Sequence, residues 1–312
     1  ARVFGHTSPA FRSTFGTNVG IGSQSLVIDG TEEQKQHYLP KMATGEIIGS
    51  FCLTEPESGS DAASVKTTAI KQAGHYILNG TKRFITNAPT ADLFTVFART
   101  NAEEKGSRGV SAFLVDRNLP GIQLSSPYRK MGQQGAPVCD VIFDNVSVPE
   151  DKLVGGKENV GFATAMKVLD KGRLHISAIS VGIAERLIED ATRYAVERRQ
   201  FGQAIADFQL IQAMLADSQT DAYAAACMVD ETARRRDTGE NVAVLAASCK
   251  LFATEMVGRV ADRAVQIFGG AGYVEDDGIE RFYRDVRLFR IYEGTSQIQQ
   301  TVIAKDLIKR YR

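Results

Sequence analysis

A stretch near the C-terminus places one carboxylate directly before a predicted helix start. Glu293 follows an apolar segment, and Gly294 after it allows the backbone to turn freely or to approach a ligand closely. Ser296 and Gln299 form the Ser-x-x-Gln pattern of a capping box, which predicts that a helix begins here. Free N–H groups at a helix start suit an anionic or enolate-like oxygen. From these residues alone, the favoured interpretation is that Glu293 only complements the helix dipole.

Three other groups contain residue types that suit a cofactor, and each also has an ordinary structural interpretation. Residues 51–61 lead from a strand into a hydroxyl-rich loop, which could contact a polar ring edge or a phosphate, or could form a simple turn. Phe84 and Thr86 lie two apart on a predicted strand, so they could flank a flat cofactor or form sheet surface. Arg198 and Arg199 at a predicted helix end suit a pyrophosphate or a helix C-cap.

The composition shows no bias toward nucleic acid or an anionic membrane. Lys plus Arg and Asp plus Glu are both 37 in 312 residues, so the formal net charge is zero. No apolar run approaches the length of a transmembrane helix. We predict no metal site, because the histidines share no ligand spacing, and we predict reduced structural thiols, because no Cys-x-x-Cys occurs. These residues are His6, His37, His75, His175, Cys52, Cys139, Cys227 and Cys249.

The sequence pattern changes twice, which predicts domains over residues 1–48, 49–154 and 155–312. The first is loosely helical, and a helix that begins at Thr31 is expected to end at Pro40. Because the chain begins at Ala1 rather than Met, we expect further N-terminal residues in the full protein.

Short strand-like runs in the second domain suggest an antiparallel sandwich or a small barrel. Asn79 and Gly80 form a strong hairpin signal between two of these runs. The expected strands cover residues 50–53, 65–70, 75–78, 83–86, 94–99, 110–115, 122–124 and 138–143.

The third domain has three long sets of apolar residues at helical spacing, which predict a helical bundle. The breaks at Phe201-Gly202 and Thr238-Gly239 are short, so neighbouring helices should pack antiparallel. A later run, Gly269-Gly270-Ala271-Gly272, follows a helix rather than a strand, which disfavours a dinucleotide-binding βαβ unit.

In this order the motifs resemble those of the acyl-CoA dehydrogenases, flavoproteins that desaturate acyl-CoA thioesters between Cα and Cβ. The resemblance spans nearly the whole chain, and the set of motifs is highly specific. The matching blocks are Thr54-Glu55-Pro56 with Gly59-Ser60-Asp61, Phe84-Ile85-Thr86-Asn87, Glu197-Arg198-Arg199-Gln200-Phe201-Gly202, Gln266-Ile267-Phe268-Gly269-Gly270-Ala271-Gly272-Tyr273, and Tyr292-Glu293-Gly294-Thr295-Ser296-Gln297-Ile298-Gln299.

The resemblance implies a mainly α fold with an inserted β-domain: the remainder of an N-terminal helical domain, a central β-domain and a C-terminal four-helix bundle. FAD would lie between the β-domain and the bundle. The family usually has Trp where Phe84 stands, and Phe keeps the stacking face without the indole N–H. The residues implied to bind FAD are Phe51, Leu53, Thr54, Gly59, Ser60, Phe84, Ile85, Thr86, Arg198, Gln200, Phe201, Phe208, Gln209, Gln266, Ile267, Gly269, Gly270, Thr295 and Gln297.

The same resemblance implies the substrate contacts and the base. Ser60, Asp170, Arg173 and Gly294 match positions that approach the acyl-CoA. Glu293 matches the usual base, whereas a subset of the family carries the base at the position that is Gly172 here. The implied reaction is α-proton removal by Glu293 with hydride transfer from Cβ to flavin N5.

The resemblance also implies partners. Electrons would pass to an electron-transferring flavoprotein, and part of the FAD-binding set would reach a neighbouring subunit in a dimer or a tetramer of two dimers. An oxidase that uses oxygen, or a catalytically silent binding protein, remains the alternative. A bacterial cytoplasm or a mitochondrial matrix is the expected location, and acyl chain length and branching stay open.

Overall fold

The computed structural model describes residues 1–104 and 106–312, which form two compact units. The first unit comprises Ala1–Arg12, Met131–Gln133 and Asp170–Arg312, and the second comprises Ser13–Lys130 and Gln134–Leu169.

The α-helices of the described residues are concentrated in the two ends of the chain. They are α1 Pro9–Thr17, α2 Ser23–Asp29, α3 Glu32–Thr44, α4 Gly161–Glu197, α5 Gln209–Asp237, α6 Ala243–Phe268, α7 Gly270–Tyr273, α8 Ile279–Val286 and α9 Ser296–Lys309. Short 3₁₀ segments include Arg2–His6, Ala62–Ser64, Gly106–Gly109, Glu150–Lys152, Val154–Gly156, Ile205–Asp207, Glu275–Asp277 and Arg287–Arg290, and Asn18–Gly22 is a π-helical turn.

The strands lie mainly between α3 and α4. They are β1 Gly49–Cys52, β2 Thr68–Gln72, β3 His75–Thr86, β4 Leu93–Arg99, β5 Val110–Asp116, β6 Ile122–Leu124 and β7 Val138–Pro149, followed within the helical region by β8 Arg199–Gln200 and β9 Gln203–Ala204.

The second unit is built on one seven-stranded sheet with mixed strand directions. Its order is β1-β4-β2-β3-β7-β6, with β5 paired to β4. The expectation of purely antiparallel pairing was wrong, because β1 runs parallel to β4 with Ser50 opposite Phe94. Parallel neighbours need a long connection, and residues 53–92, which contain β2 and β3, provide it.

The predicted hairpin at Asn79 and Gly80 was also wrong. β3 runs continuously through this dipeptide, and its pairing with β7 shifts register between Leu78 and Gly80. Gly80 has φ +151°, so the dipeptide accommodates an irregularity inside a strand rather than a chain reversal. The reversal lies six residues earlier, at Ala73-Gly74, where Gln72 of β2 pairs with His75 of β3.

The helix that begins after Thr31 was predicted correctly at its start and wrongly at its end. The Thr31 hydroxyl accepts from the Gln34 N–H at 3.2 Å, and the Gln34 side chain accepts from the Thr31 N–H at 3.1 Å, which completes a capping box. The helix then continues through Pro40 for another turn and ends at Thr44, followed by the C-cap Gly45, whose φ is +78°. Burial of Tyr38 and Met42 on its inner face offsets the hydrogen bond that proline removes.

The first unit is a helical bundle, and the predicted fold class of helices around a β-domain is confirmed. Its core includes side chains from α4, α5 and α6, represented by Leu187, Val229 and Met256. The predicted breaks fall in the connections between these helices: Phe201-Gly202 forms the β8–β9 turn, and Thr238-Gly239 follows α5. Within the described residues, no helix has the length and apolar character needed to cross a bilayer.

Candidate active site

The start of α9 fixes the backbone next to Glu293. The N-cap is Thr295, whose hydroxyl accepts from the Ile298 N–H at 3.2 Å. The predicted Ser296–Gln299 capping box was therefore wrong by one residue. The Ser296 hydroxyl instead donates to Glu255 at 2.7 Å, which ties the first residue of α9 to α6.

Glu293 itself has an unusual backbone conformation. Its φ is +52°, and Gly294 after it has φ +89°, so two successive residues lie in the left-handed region. A residue other than glycine pays on the order of 1–2 kcal/mol to adopt this conformation. The buried Gln299 side chain donates to the Glu293 carbonyl at 3.3 Å and to the Gly294 carbonyl at 2.9 Å, which holds the bend. Strained backbone of this kind concentrates at functional sites.

The Glu293 carboxylate points against α4 and keeps one oxygen unpaired. The Oε2 atom is buried and has no hydrogen-bond partner among the described residues. It lies against Gly172, where an added Cβ would overlap Oε2. Glycine at this helix position therefore leaves room for the carboxylate of Glu293.

Three cations surround this carboxylate within the first unit. Burial raises the pKa of Glu293 above its usual range, while the charges of Arg12, Lys250 and Arg173 oppose that rise. The net direction is upward, so the carboxylate is a stronger base than one in water. A carboxylate that combines burial, a raised pKa and a free oxygen is suited to general-base catalysis.

Two of these cations have their own fixed contacts. Arg173 donates to Asp170 at 2.6 Å, and its buried Nε has no hydrogen-bond partner among the described residues. Arg12 is 5% exposed and contacts Nδ1 of His175. Burial, followed by the charge of Arg12, lowers the pKa of His175 to about 3, so the imidazole is neutral and accepts from the guanidinium. The structure thus brings the predicted residues Asp170, Arg173, Glu293 and Gly294 into one region.

Sequence reasoning missed Arg12, His175 and Lys250. Lys250 is fully buried in α6, and its Nζ donates to the Gly294 carbonyl at 2.7 Å. A lysine within the small and apolar residues of α6 was a usable signal, because an unpaired ammonium is costly to bury. Arg12 and His175 carried no comparable local signal, since their pairing joins residues 163 positions apart.

A second group of predicted residues lies elsewhere in the first unit, around the β8–β9 hairpin. Phe201 at its turn has φ +51° and is 94% exposed. The stacked rings of Tyr194 and Phe268 join the hairpin base to the end of α6, with centroids 4.1 Å apart. This group contains the exposed Arg198, Gln200, Gln209, Gln266, Gly269 and Gly270, with Phe208 half-buried and Ile267 buried.

Two residues of the first unit that were predicted to bind FAD lie outside the group around the β8–β9 hairpin. Thr295 and Gln297 lie at the start of α9, which Ser296 ties to Glu255 on α6. Glu255 precedes Gln266 by eleven positions, so the two regions are separated by about 16 Å along the helix.

A third group lies in the second unit and joins the loop after β1 to β3. The Thr54 carbonyl accepts from the Arg83 N–H at 2.8 Å, and the Ser50 hydroxyl donates to the Thr86 carbonyl at 2.8 Å. Phe84 has φ +59° and is 59% exposed, so its ring is available to a flat ligand.

Several side chains of this third group that were predicted to contact FAD pack inside the protein instead. Leu53 and Ile85 are buried, and Phe51 packs against Phe97 with ring centroids 4.8 Å apart. These residues could contact a ligand mainly through their backbone atoms. Gly59 and Ser60, in contrast, are exposed.

A buried ion pair fixes the loop after β1. Lys82 Nζ lies 2.7 Å from Glu55 Oε1 and donates to the Leu53 carbonyl at 3.2 Å. Glu55 also accepts from the backbone N–H groups of Lys66 and Thr67. Burial opposes ionisation of Glu55, yet Lys82 and these N–H groups hold its pKa below its usual range.

Lys82→Met should therefore destabilise the fold by about 3–5 kcal/mol, because Glu55 would be left as an uncompensated buried charge. Urea unfolding would measure the loss of free energy of unfolding. Lys66→Met is the matched control, since that lysine pairs with Glu57 at an exposed site and its removal should change stability little. Equal stability of wild type and Lys82→Met would contradict this account of the loop.

Comparison with known proteins decides the family. Profiles for the N-terminal, middle and C-terminal domains of acyl-CoA dehydrogenase match residues 1–46, 50–146 and 159–308. The CarC subunit of the caffeyl-CoA reductase-Etf complex from Acetobacterium woodii is 44% identical over 285 residues, which cover 91% of this chain and 75% of that protein. The chain belongs to the acyl-CoA dehydrogenase family.

Solved structures of other acyl-CoA dehydrogenases have the same fold. Butyryl-CoA dehydrogenase from Megasphaera elsdenii superimposes with a TM-score of 0.95 at 36% identity, covering 98% of this chain and 80% of that chain. The glutaryl-coenzyme A dehydrogenase–glutaryl-CoA complex superimposes with a TM-score of 0.93 at 34% identity, covering 98% and 77%. The motifs that suggested this family in the sequence therefore identified it correctly, and the chain is a flavoprotein-type oxidoreductase.

Proposed function

We propose that this acyl-CoA dehydrogenase oxidises an acyl-CoA thioester to its trans-2-enoyl-CoA and that Glu293 removes the α-proton. The observation that carries the proposal is the buried Oε2 of Glu293, which has no hydrogen-bond partner among the described residues and lies among three cations. A carboxylate without a role in proton transfer would gain stability by pairing with one of those cations directly.

The surroundings of Glu293 meet the two requirements of α-proton removal. The proton next to a thioester is weakly acidic, so the base must be desolvated and the developing oxyanion must be stabilised. Burial supplies the first condition, and Gly172 leaves room on α4 for the carboxylate itself. The backbone N–H of Glu293 is our candidate donor to the thioester oxygen. Arg12, Lys250 and Arg173 keep enough of the carboxylate ionised to accept a proton.

The residues of both units fit FAD as the cofactor. In the second unit, the exposed ring of Phe84 suits the flavin face, and Thr54, Ser60 and Thr86 offer hydroxyl groups to its polar edge. In the first unit, the exposed Arg198, Gln200 and Gln266 suit the pyrophosphate and adenosine. When bound, FAD supplies the acceptor for the β-hydride at its N5.

The partners are part of the same proposal. We propose an electron-transferring flavoprotein as the electron acceptor, which the relative named as part of an Etf complex supports. The exposed Phe201 hairpin supports binding to the FAD of a neighbouring subunit in a tetramer of two dimers. The division at residues 48 and 154 into three domains stays a prediction, as does a location in a bacterial cytoplasm or mitochondrial matrix.

Anaerobic mixing with butyryl-CoA tests the proposed reaction. The flavin absorbance should bleach, and chromatography of the quenched mixture should show the 2-enoyl-CoA in an amount equal to the reduced flavin. Failure to bleach with a panel of short, long and branched acyl-CoA thioesters would contradict the proposal. Stoichiometric peroxide during aerobic turnover would favour the oxidase alternative over electron transfer to a flavoprotein.

Arg12 favours a second candidate for the acyl group, a thioester with a distant carboxylate such as glutaryl-CoA. Its guanidinium is 5% exposed, and its Nε has no acceptor among the described residues. A substrate carboxylate would satisfy such a group, and one of the similar structures contains glutaryl-CoA.

Comparison of glutaryl-CoA with butyryl-CoA tests this candidate. At a pH where flavin reduction no longer rises with pH in either protein, Arg12→Gln should lower kcat/KM for glutaryl-CoA by about 10–100-fold, as expected for a lost charge-assisted hydrogen bond. Butyryl-CoA turnover should change much less at that pH, because loss of Arg12 affects it mainly through the pKa of Glu293. Steady-state kinetics with both substrates would measure the ratio. An unchanged ratio of kcat/KM between glutaryl-CoA and butyryl-CoA would show that Arg12 does not bind the acyl group.

A further inference from the structure

Lys250 is a buried charge that the proposed reaction does not yet use. It is 0% exposed, in the middle of α6, and Ala246, Ala247 and Ala253 nearby on the same helix are also buried. Removing an ammonium from water costs several kcal/mol unless its donors find acceptors. The hydrogen bond that the structure gives to Nζ is donated to the Gly294 carbonyl at 2.7 Å.

The peptide that Lys250 binds is the one that directs the base. Glu293 and Gly294 both have positive φ, and the chain could relax toward extended backbone if nothing held it. The Gly294 carbonyl receives two donors, Lys250 at 2.7 Å and Gln299 at 2.9 Å. One donor comes from α6 and the other from α9, so the bend is fixed from two separate helices.

This arrangement keeps the cation close to the base without neutralising it. Lys250 binds the carbonyl after Glu293, whereas Oε2 of Glu293 has no hydrogen-bond partner among the described residues. A direct ion pair would stabilise the carboxylate and would also occupy the oxygen that must accept a proton. Placing the ammonium on the backbone side avoids that conflict.

We propose that Lys250 is a positioning residue for the base: its ammonium group anchors the Gly294 carbonyl and so fixes the direction of the Glu293 carboxylate. The inference rests on the proposed function, since it assigns Lys250 a part in the reaction of Glu293. Its charge has a second, separable effect, because it favours the ionised form of Glu293.

The charged groups around Glu293 and Lys250 influence how the reaction rate depends on pH. Arg12 on α1, Arg173 on α4 and Lys250 on α6 face Glu293, and Arg173 and Glu255 also face Lys250. Burial lowers the pKa of Lys250 to about 8, with Glu293 opposing that change. The ammonium is therefore charged below about pH 8.

Two variants separate the effect of the hydrogen bond to the Gly294 carbonyl from the effect of the positive charge. Lys250→Met removes both the donor and the charge, whereas Lys250→Gln removes the charge and keeps a donor. Thr254→Val is the control one turn along α6, because the Thr254 hydroxyl is buried and donates to the Lys250 carbonyl. All three would be purified with FAD and compared by flavin content and circular dichroism before kinetics.

Lys250→Met should lower the limiting rate of anaerobic flavin reduction by about 10–100-fold with KM changed less than about threefold, as expected when a reacting group is misplaced by about 1 Å. Lys250→Gln should recover part of that rate. In both variants the acidic limb of the rate profile should move to higher pH, because loss of a cation raises the pKa of Glu293. Thr254→Val should leave the limb unmoved.

Carboxyl ¹³C NMR of glutamate-labelled protein gives a readout that does not depend on turnover. The Glu293 signal, assigned by its loss in Glu293→Gln, should titrate at higher pH in both Lys250 variants than in wild type. A wild-type rate in Lys250→Met would overturn the positioning role, and so would failure of both variants to fold, which would make Lys250 a structural residue. Unmoved titration in both variants would overturn the charge effect. These results leave the proposed function standing, which fails instead if Glu293→Gln is fully active.

Discussion

Glu293→Gln is expected to give a yellow, folded protein that binds acyl-CoA and reduces its flavin at least about 10³-fold more slowly than wild type. The amide matches the carboxylate in shape, so it should fill the same space beside Gly172 without a clash. It lacks the basicity needed to accept the α-proton, and a positioned general base contributes about 10²–10⁴-fold to such a step. Anaerobic stopped-flow spectroscopy would measure the rate.

The matched control for this prediction is Glu189→Gln. Glu189 lies on α4 of the same unit and pairs with Arg193 at 2.7 Å on the exposed surface. The same chemical change there should leave flavin reduction within about twofold of wild type, because a surface ion pair contributes little. Reduction by Glu293→Gln at the rate of this control would exclude Glu293 as the base.

The second large effect is expected from a single methyl group at Gly172. Alanine is the better helix former by about 1 kcal/mol, so Gly172→Ala would stabilise an unconstrained helix. Here the new Cβ would overlap Oε2 of Glu293, and the carboxylate would have to turn away. We expect flavin reduction to fall by about 100-fold, since a displacement of about 1 Å at the reacting group has that effect.

Gly20→Ala controls for the change from glycine to alanine. A Cβ at Gly20 meets no atom within 4 Å, so flavin reduction should change far less than in Gly172→Ala. Its backbone angles, φ −97° and ψ −115°, are unfavourable for alanine, so this variant should lose some thermal stability. Stopped-flow reduction and thermal unfolding of both variants would separate loss of the fold from displacement of the base. A Gly172→Ala protein with the wild-type rate would contradict the contact between Gly172 and Glu293.

The architecture could be predicted from the sequence where the pattern is long and repetitive. The α4, α5 and α6 helices each present apolar residues at helical spacing for more than six turns, so their existence and breaks were predictable. The β region was recognisable from its short strand-like runs. Pairing was not predictable, because the parallel contact between β1 and β4 joins strands separated by forty residues.

Local signals failed where tertiary packing decided between two allowed structures. Asn79-Gly80 suits a hairpin, yet β7 pairs with β3 on both sides of this dipeptide and keeps it inside a strand. Proline usually ends a helix, yet Met42, half a turn after Pro40, is buried and α3 continues to Thr44. In both cases burial of neighbouring side chains outweighs a propensity of a few kcal/mol or less.

The site was predictable in part for a similar reason. Glu293 could be selected because its motif is local in the chain, and the structure gives it a buried, unpaired oxygen. Lys250 and Arg12 could not, because their relation to Glu293 exists only after α1, α6 and the start of α9 come together in the first unit. Motifs therefore identified the proposed base and Arg173, and only the folded structure identified Arg12 and Lys250.

The pH dependence of anaerobic flavin reduction, compared between wild type and Glu293→Gln, tests the central claim most directly. In wild type the rate should rise with pH through one ionisation whose pKa lies above that of an ordinary glutamate, because burial disfavours the carboxylate form. The same ionisation should be absent from the residual rate of Glu293→Gln. An acidic limb that persists unchanged in Glu293→Gln would assign the proton to another group and would contradict the account.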